Sequence, residues 1–123
     1  MKTLTLYNGV EIPANGFGVY QVRKEDCKKS VLAALKAGYR HIDTAQSYFN
    51  EEQVGEALAE TDVPRREIFL TTKVWIDHYE EGKTYDSVIE SLRKLKTDYL
   101  DLILLHQPVG GLLWCLPRFG KAL

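Results

Sequence analysis

The chain has 123 residues, 45% hydrophobic and 27% charged, with a formal net charge of -1. That balance fits a globular domain rather than a disordered, fibrous or membrane chain, and so small a charge gives no electrostatic reason to expect a nucleic acid or an anionic membrane as partner. The opening MKTLTLYNGVEIPANG holds one lysine and no apolar run of signal-peptide length, and no stretch approaches the length of a transmembrane helix. Cys27 and Cys115 make neither a disulfide framework nor a metal spacing, so two unpaired thiols in a cytoplasmic protein are the expectation.

In chain order, the pattern first predicts a hairpin. Thr3 to Leu6 alternates polar and apolar, Asn8-Gly9 is a two-residue turn signal, and Val10 to Ile12 alternates again. GFGVY, Gly16 to Tyr20, reads as a short strand with glycines where backbones approach closely. Cys27, Val31, Ala34 and Leu35 share one helical face, with Asp26 in the first turn, Lys36 in the last, and Gly38 where a helix end favours a left-handed residue. The strand YRHID (39–43) follows.

Asn50 then reads as a helix N-cap, with Gln53 three residues on and Glu51 and Glu52 in the first turn; Val54, Ala57 and Leu58 give that helix its stripe. Pro64 breaks the chain before the strand IFLTTK (68–73). Tyr85, Val88, Ile89, Leu92 and Leu95 mark a third helix, and YLDLILLH (99–106) a fourth strand. A hairpin followed by β-α-β-α-β-α-β predicts an α/β fold with a parallel sheet, and periodicity leaves doubly wound sheets and (β/α)8 barrels equally open.

Three of the strands finish in polar residues that core packing does not require: Asp43, Lys73 and His106. In a barrel their ends converge at the C-terminal mouth, where barrel enzymes keep their active sites, and Tyr48 lies in the loop just above it. Each has an ordinary explanation taken alone: a turn-capping Asp, a solvated Lys, a core His, a surface Tyr. Their coincidence at successive strand ends suggests chemistry instead. A phenol with its ordinary pKa of about 10 is a poor acid near neutrality, and a neighbouring ammonium favours the phenolate. Lys73 can supply that charge, Asp43 can hold Lys73, and His106 can orient a carbonyl oxygen beside the Tyr48 hydroxyl. Such a site protonates an oxygen as charge develops on it. With no obvious nucleophile and no metal-ligand cluster in the set, the electrons or hydride must come from elsewhere.

GYRHIDTAQSYFNEEQVG (Gly38 to Gly55), LTTKVW (70–75), LILLHQP (102–108) and GFGVY resemble the motifs of the aldo-keto reductases. The resemblance runs from about Leu4 to Pro108 and implies the N-terminal half of a (β/α)8 TIM barrel with an N-terminal β-hairpin cap. It implies that Tyr48 is the general acid, that Lys73 and Asp43 tune it, and that His106 orients the substrate carbonyl. It also implies NADPH as hydride donor to an aldehyde or ketone, with Gly18, Val19, Tyr20 and Asp43 beside the cofactor. Tyr20, Trp75 and His106 would line the substrate pocket. Tyr20 stands where many relatives carry Trp, and His-Gln-Pro resembles the microbial diketogluconate and glyoxal reductase branch.

After Pro108 the pattern stops: VGGLLWCLPRFGKAL lacks a polar helical face and carries Pro117. The expected organisation is therefore 1–108 as half of a barrel and 109–123 as an atypical tail. Back-translating residues 110–123 and reading one base later permits Gly-Asp-Tyr-Tyr-Gly-Ala-Tyr-Arg-Ala-Leu-Glu-Lys-Leu, an amphipathic helical segment, which points to a frameshift near Val109. Two outcomes follow: a carbonyl reductase lineage retaining its acid site, or a non-catalytic remnant that acts, if at all, by self-association of an open half-barrel. A barrel isomerase using the same four residues would require the Gly38–Gly55 match to be accidental.

Overall fold

The computed structural model describes residues 1–107; the atypical tail expected at 109–123, with Cys115, lies outside them. The chain opens with β1 (Thr3–Thr5) and β2 (Glu11–Pro13), an antiparallel pair in the register Leu4 to Ile12. The expected two-residue turn is instead a three-residue loop. Gly9 N–H closes a turn onto Leu6 O at 2.9 Å, Leu6 N–H bonds Val10 O at 2.8 Å, and Gly9 takes φ +84°. A left-handed third residue is what the three-residue hairpin loop requires. Met1 and Asn15, at the hairpin's base, border a shallow cavity with Ala37, Gly38 and Tyr39, so the hairpin sits by the N-terminal end of the next strand but one.

The main sheet is β3 (Phe17–Gly18), β4 (His41–Asp43), β5 (Phe69–Val74) and β6 (Leu102–Leu105), all parallel and in that spatial order. Between them run α1 (Lys24–Lys36), α2 (Glu51–Glu60) and α3 (Lys83–Leu95), with α1 packed on α2 and α2 on α3. Among the described residues the strand order never reverses, whereas a doubly wound sheet reverses at its switch point. This settles what periodicity left open in favour of the barrel-type winding.

Two of the predicted strands are shortened because their first residues have other partners. Tyr39 N–H bonds Ala34 O at 3.0 Å and Gly38 N–H bonds Leu35 O at 3.1 Å, with Gly38 at φ +102°. That is a Schellman ending for α1, and it withholds Tyr39 from β4. Before β6, the Asp101 carboxylate accepts from Leu70 N–H at 2.9 Å and from Arg65 at 3.0 Å, and Tyr99 O accepts from Arg65.

The helix-facing side of the sheet is the core. Ile42, Leu70 and Val74 pack with Cys27, Val31 and Leu35 of α1, Val54 and Ala57 of α2, and Val88 and Leu95 of α3. Burial pushes the Cys27 thiol up to about 11 and so keeps it protonated. On α3 the predicted stripe is displaced: Thr84, Val88, Ser91 and Leu95 are buried, while Tyr85 and Ile89 are exposed. The two glycines of GFGVY also differ. A Cβ on Gly16 would lie 2.9 Å from His41 Nδ1, whereas one on Gly18 would meet nothing within 4 Å. Among the described residues no helix is long and apolar enough to cross a membrane.

Candidate active site

The C-terminal ends of β4, β5 and β6 deliver Asp43, Lys73 and His106, and a 3-10 turn at Gln46–Tyr48 brings Tyr48 over them. The ammonium of Lys73 donates to Asp43 Oδ1 at 2.5 Å, to Thr44 O at 3.0 Å and to the Tyr48 hydroxyl at 3.3 Å. An ammonium has three N–H donors, so this arrangement uses all of them and fixes the group in direction as well as place. The Asp43 and Lys73 side chains are 32% and 13% exposed, which leaves the pair only partly screened by water.

His106 is held by its backbone N–H on Val74 O at 3.0 Å. Its ring stands edge-on to Tyr48 at 5.6 Å and to Trp75 at 5.3 Å, and its Nδ1 lies 3.3 Å from Ser47 Oγ. Burial, and next the Lys73 charge, push its pKa below 6.5, with Asp43 opposing. The imidazole is therefore neutral at neutral pH and can donate a single N–H.

A cavity of about 470 Å³ opens over these groups, lined by Tyr20, Ser47, Tyr48, Phe49, Trp75, His106 and Gln107. The structure thus brings Tyr20, Tyr48, Trp75 and His106 together, with Lys73 and Asp43 directly behind the phenol. Gly18 pairs with Asp43 across β3 and β4, with open space above it. Val19 is placed differently: its side chain is fully buried in the core, its N–H bonds Asp43 O, and its C=O accepts from Asn50.

The residues present fit one end of a dinucleotide. Open space over Gly18 beside Asp43, and the aromatic face of Tyr20, 66% exposed and 5.1 Å from the Tyr48 ring, leave room for a flat ring next to the phenol. Among the described residues that line the cavity there is no lysine or arginine to meet a phosphate group.

The sequence reading missed the groups that hold this loop. Gln46 Oε1 accepts from Trp75 N–H at 2.9 Å and lies 2.8 Å from His78 Nδ1, while its Nε2 donates to Ser87 O, Ser87 Oγ and Ser91 Oγ. Asn50 stands at the N-cap position of α2 but makes no cap bond. It is turned inward, accepting from Thr44 Oγ1 at 3.0 Å and donating to Val19 O at 3.0 Å and Val22 O at 3.3 Å. The buried Thr44 hydroxyl and the Val19 and Val22 carbonyls need those bonds, because a buried polar group left unpaired is costly. Glu51 lies in the first turn of α2 as expected, but it is buried and accepts from Thr72 Oγ1 at 2.8 Å and Ser91 Oγ at 3.2 Å. Gln53 completes no capping box; its Oε1 is buried without a hydrogen-bond partner. One signal was available: Ser91 falls on an apolar stripe between Val88 and Leu95, and a polar group there needs a partner.

A parallel sheet wound in one direction, with Asp43, Tyr48, Lys73 and His106 gathered at its carboxyl ends, defines a barrel-type α/β enzyme architecture. The chain belongs to the aldo/keto reductase family, whose model it matches over residues 14–111. It is 49% identical over 107 residues to glycerol 2-dehydrogenase (NADP(+)) of Saccharomyces cerevisiae, covering 87% of this chain and 34% of that one. It is 46% identical over 112 residues to methylglyoxal reductase DkgB of Salmonella typhi, covering 91% and 42%. An aldo/keto reductase structure from Brucella melitensis superposes with a TM-score of 0.93 at 42% identity, over 98% of this chain and 48% of that one. The chain therefore spans between a third and half of the length of these proteins.

Proposed function

We propose that the chain carries the proton-donating half of an NADPH-dependent carbonyl reductase site, acting on an aldehyde or ketone. The observation that carries this reading is the Lys73 ammonium bonded at once to Asp43 and to the Tyr48 hydroxyl, beside a neutral His106. When bound, NADPH supplies the hydride to the carbonyl carbon. The chain's own residues deal with the oxygen. His106 donates a hydrogen bond that orients the carbonyl, and Tyr48 passes its proton to the oxygen as charge builds there. Lys73 stabilises the oxygen of the phenol once that proton has gone, and Asp43 holds Lys73 in register. Gly18 and Tyr20, with Asp43, are the residues that would sit beside the nicotinamide. Val19, its side chain buried and its N–H on Asp43 O, would hold Gly18 and Tyr20 in place beside that ring. Trp75 and Tyr20 would wall the substrate.

The relatives' names, methylglyoxal reductase and glycerol 2-dehydrogenase (NADP(+)), support a small carbonyl substrate and an NADP cofactor. On this reading residues 1–108 are the first half of a cytoplasmic barrel enzyme. A second reading, a non-catalytic remnant that acts by self-association, is favoured by one observation: Leu104, on the sheet face opposite the helices, is 40% exposed. The deciding experiment follows NADPH absorbance with methylglyoxal as substrate and the purified chain as catalyst. Turnover reduced at least about 100-fold by Tyr48→Phe supports the reductase. No turnover and no NADPH binding supports the remnant.

A further inference from the structure

We propose that Ser47 is a positioning residue that holds His106 in one tautomer, with Nδ1 accepting from the serine hydroxyl and Nε2–H left to donate into the cavity. The inference rests on reading that cavity as a carbonyl-reduction site. Its basis is the 3.3 Å approach of Ser47 Oγ to His106 Nδ1, made by the residue immediately before Tyr48.

A neutral imidazole has one proton for two nitrogens, and the nitrogen that carries it is set by the bond the other one makes. Burial and the Lys73 charge keep His106 neutral near pH 7. Its other close neighbours are the rings of Tyr48 and Trp75, both edge-on, so Ser47 is the polar partner the described residues give it. A serine hydroxyl is the better donor of the two groups and an imidazole lone pair the better acceptor, so O–H···Nδ1 is the stronger of the two possible arrangements. The consequence falls on the substrate. With the proton on Nε2, the ring donates to a carbonyl oxygen; with it on Nδ1, a lone pair faces that oxygen and repels it. One 3-10 turn therefore carries both the proton donor, Tyr48, and the group that sets the polarity of His106.

The arrangement assigns different readouts to the serine and to the site. In the 15N-labelled 123-residue chain, long-range imidazole correlations report which ring nitrogen is protonated, and a His106→Gln variant identifies its signals among those of the three histidines. The expected result is an acceptor-type Nδ1 and a protonated Nε2 in the wild type. Ser47→Ala should raise the Nδ1–H fraction several-fold, and Ser47→Thr should restore the wild-type pattern. Loss of one hydrogen bond of this kind should lower kcat by about tenfold in Ser47→Ala, with KM less affected. A wild type protonated on Nδ1, or identical ring shifts in Ser47→Ala, overturns the assignment. The expected tautomers in a chain that reduces no carbonyl would overturn the reductase reading and leave the Ser47–His106 bond intact.

Discussion

Glu51 shows how far a single side chain can depart from what its neighbours in sequence suggest. Two acidic residues after an Asn look like a helix start in water, yet Glu51 reaches Thr72 and Ser91, 21 and 40 residues away. Burial raises its pKa above 4.5, and the hydrogen bonds from Thr72 and Ser91 oppose the shift. In the unfolded chain the carboxyl ionises near its ordinary value; in the folded chain it does so only at higher pH. Between those two points the folded state binds more protons, so stability falls as pH rises and levels off once both states are ionised. Glu51→Gln removes this dependence. The Tm difference, variant minus wild type, is expected to increase as pH is raised from about 4 toward 7. A difference that stays flat across that range would refute the account. By contrast Asp43, Tyr48, Lys73 and His106 are legible in sequence, because each ends or follows a strand whose apolar run makes a polar residue conspicuous. Asn50, Glu51 and Gln46 are not, because their partners are set by packing between elements.

Elements are read well in kind and less well at their edges. All three main helices and all four sheet strands are visible as periodicity, but the hairpin loop, the start of β4 and the exposed face of α3 depend on bonds that periodicity does not encode. Gly55 is a case where a small residue matters between elements. It lies on the buried side of α2, and a Cβ there would run into the backbone carbonyl of Lys94 and the Leu95 backbone at the end of α3. Those atoms belong to a fixed helix end, where Lys96 takes φ +52° and bonds back to Arg93 O, and Thr97 N–H bonds Leu92 O. The obstruction is therefore backbone rather than a movable side-chain tip, and α2 must shift away from α3. Gly55→Ala should cost about 1–3 kcal/mol, read as a lower urea midpoint with an unchanged slope. A midpoint equal to that of the wild type would show that the two helices have room to separate. Because α2 also carries Asn50 and Glu51 at its start, the same variant should loosen the turn that bears Tyr48.

For the whole molecule, the direction of winding is what sequence could not give and topology does. The sheet adds strands one after another from β3 to β6, so among the described residues each of these two pairs on one side only. Its inner face carries His41, Asp43 and Lys73, and also Leu104, paired with Lys73 across the ladder and 40% exposed. An unpaired parallel edge with an apolar residue on an open face is a template for association. The 123-residue chain is therefore expected to sediment as a dimer or larger species in the micromolar range. Leu104→Lys sets a charge on that edge and face without removing a buried contact of the helix-side core, so it should shift the distribution toward monomer and leave the circular dichroism unchanged. If the wild type is already a monomer under those conditions, the open sheet is not an association surface. If Leu104→Lys remains as associated as the wild type, contact runs through another surface, and the exposed pair Tyr85 and Ile89 on α3 becomes the place to substitute.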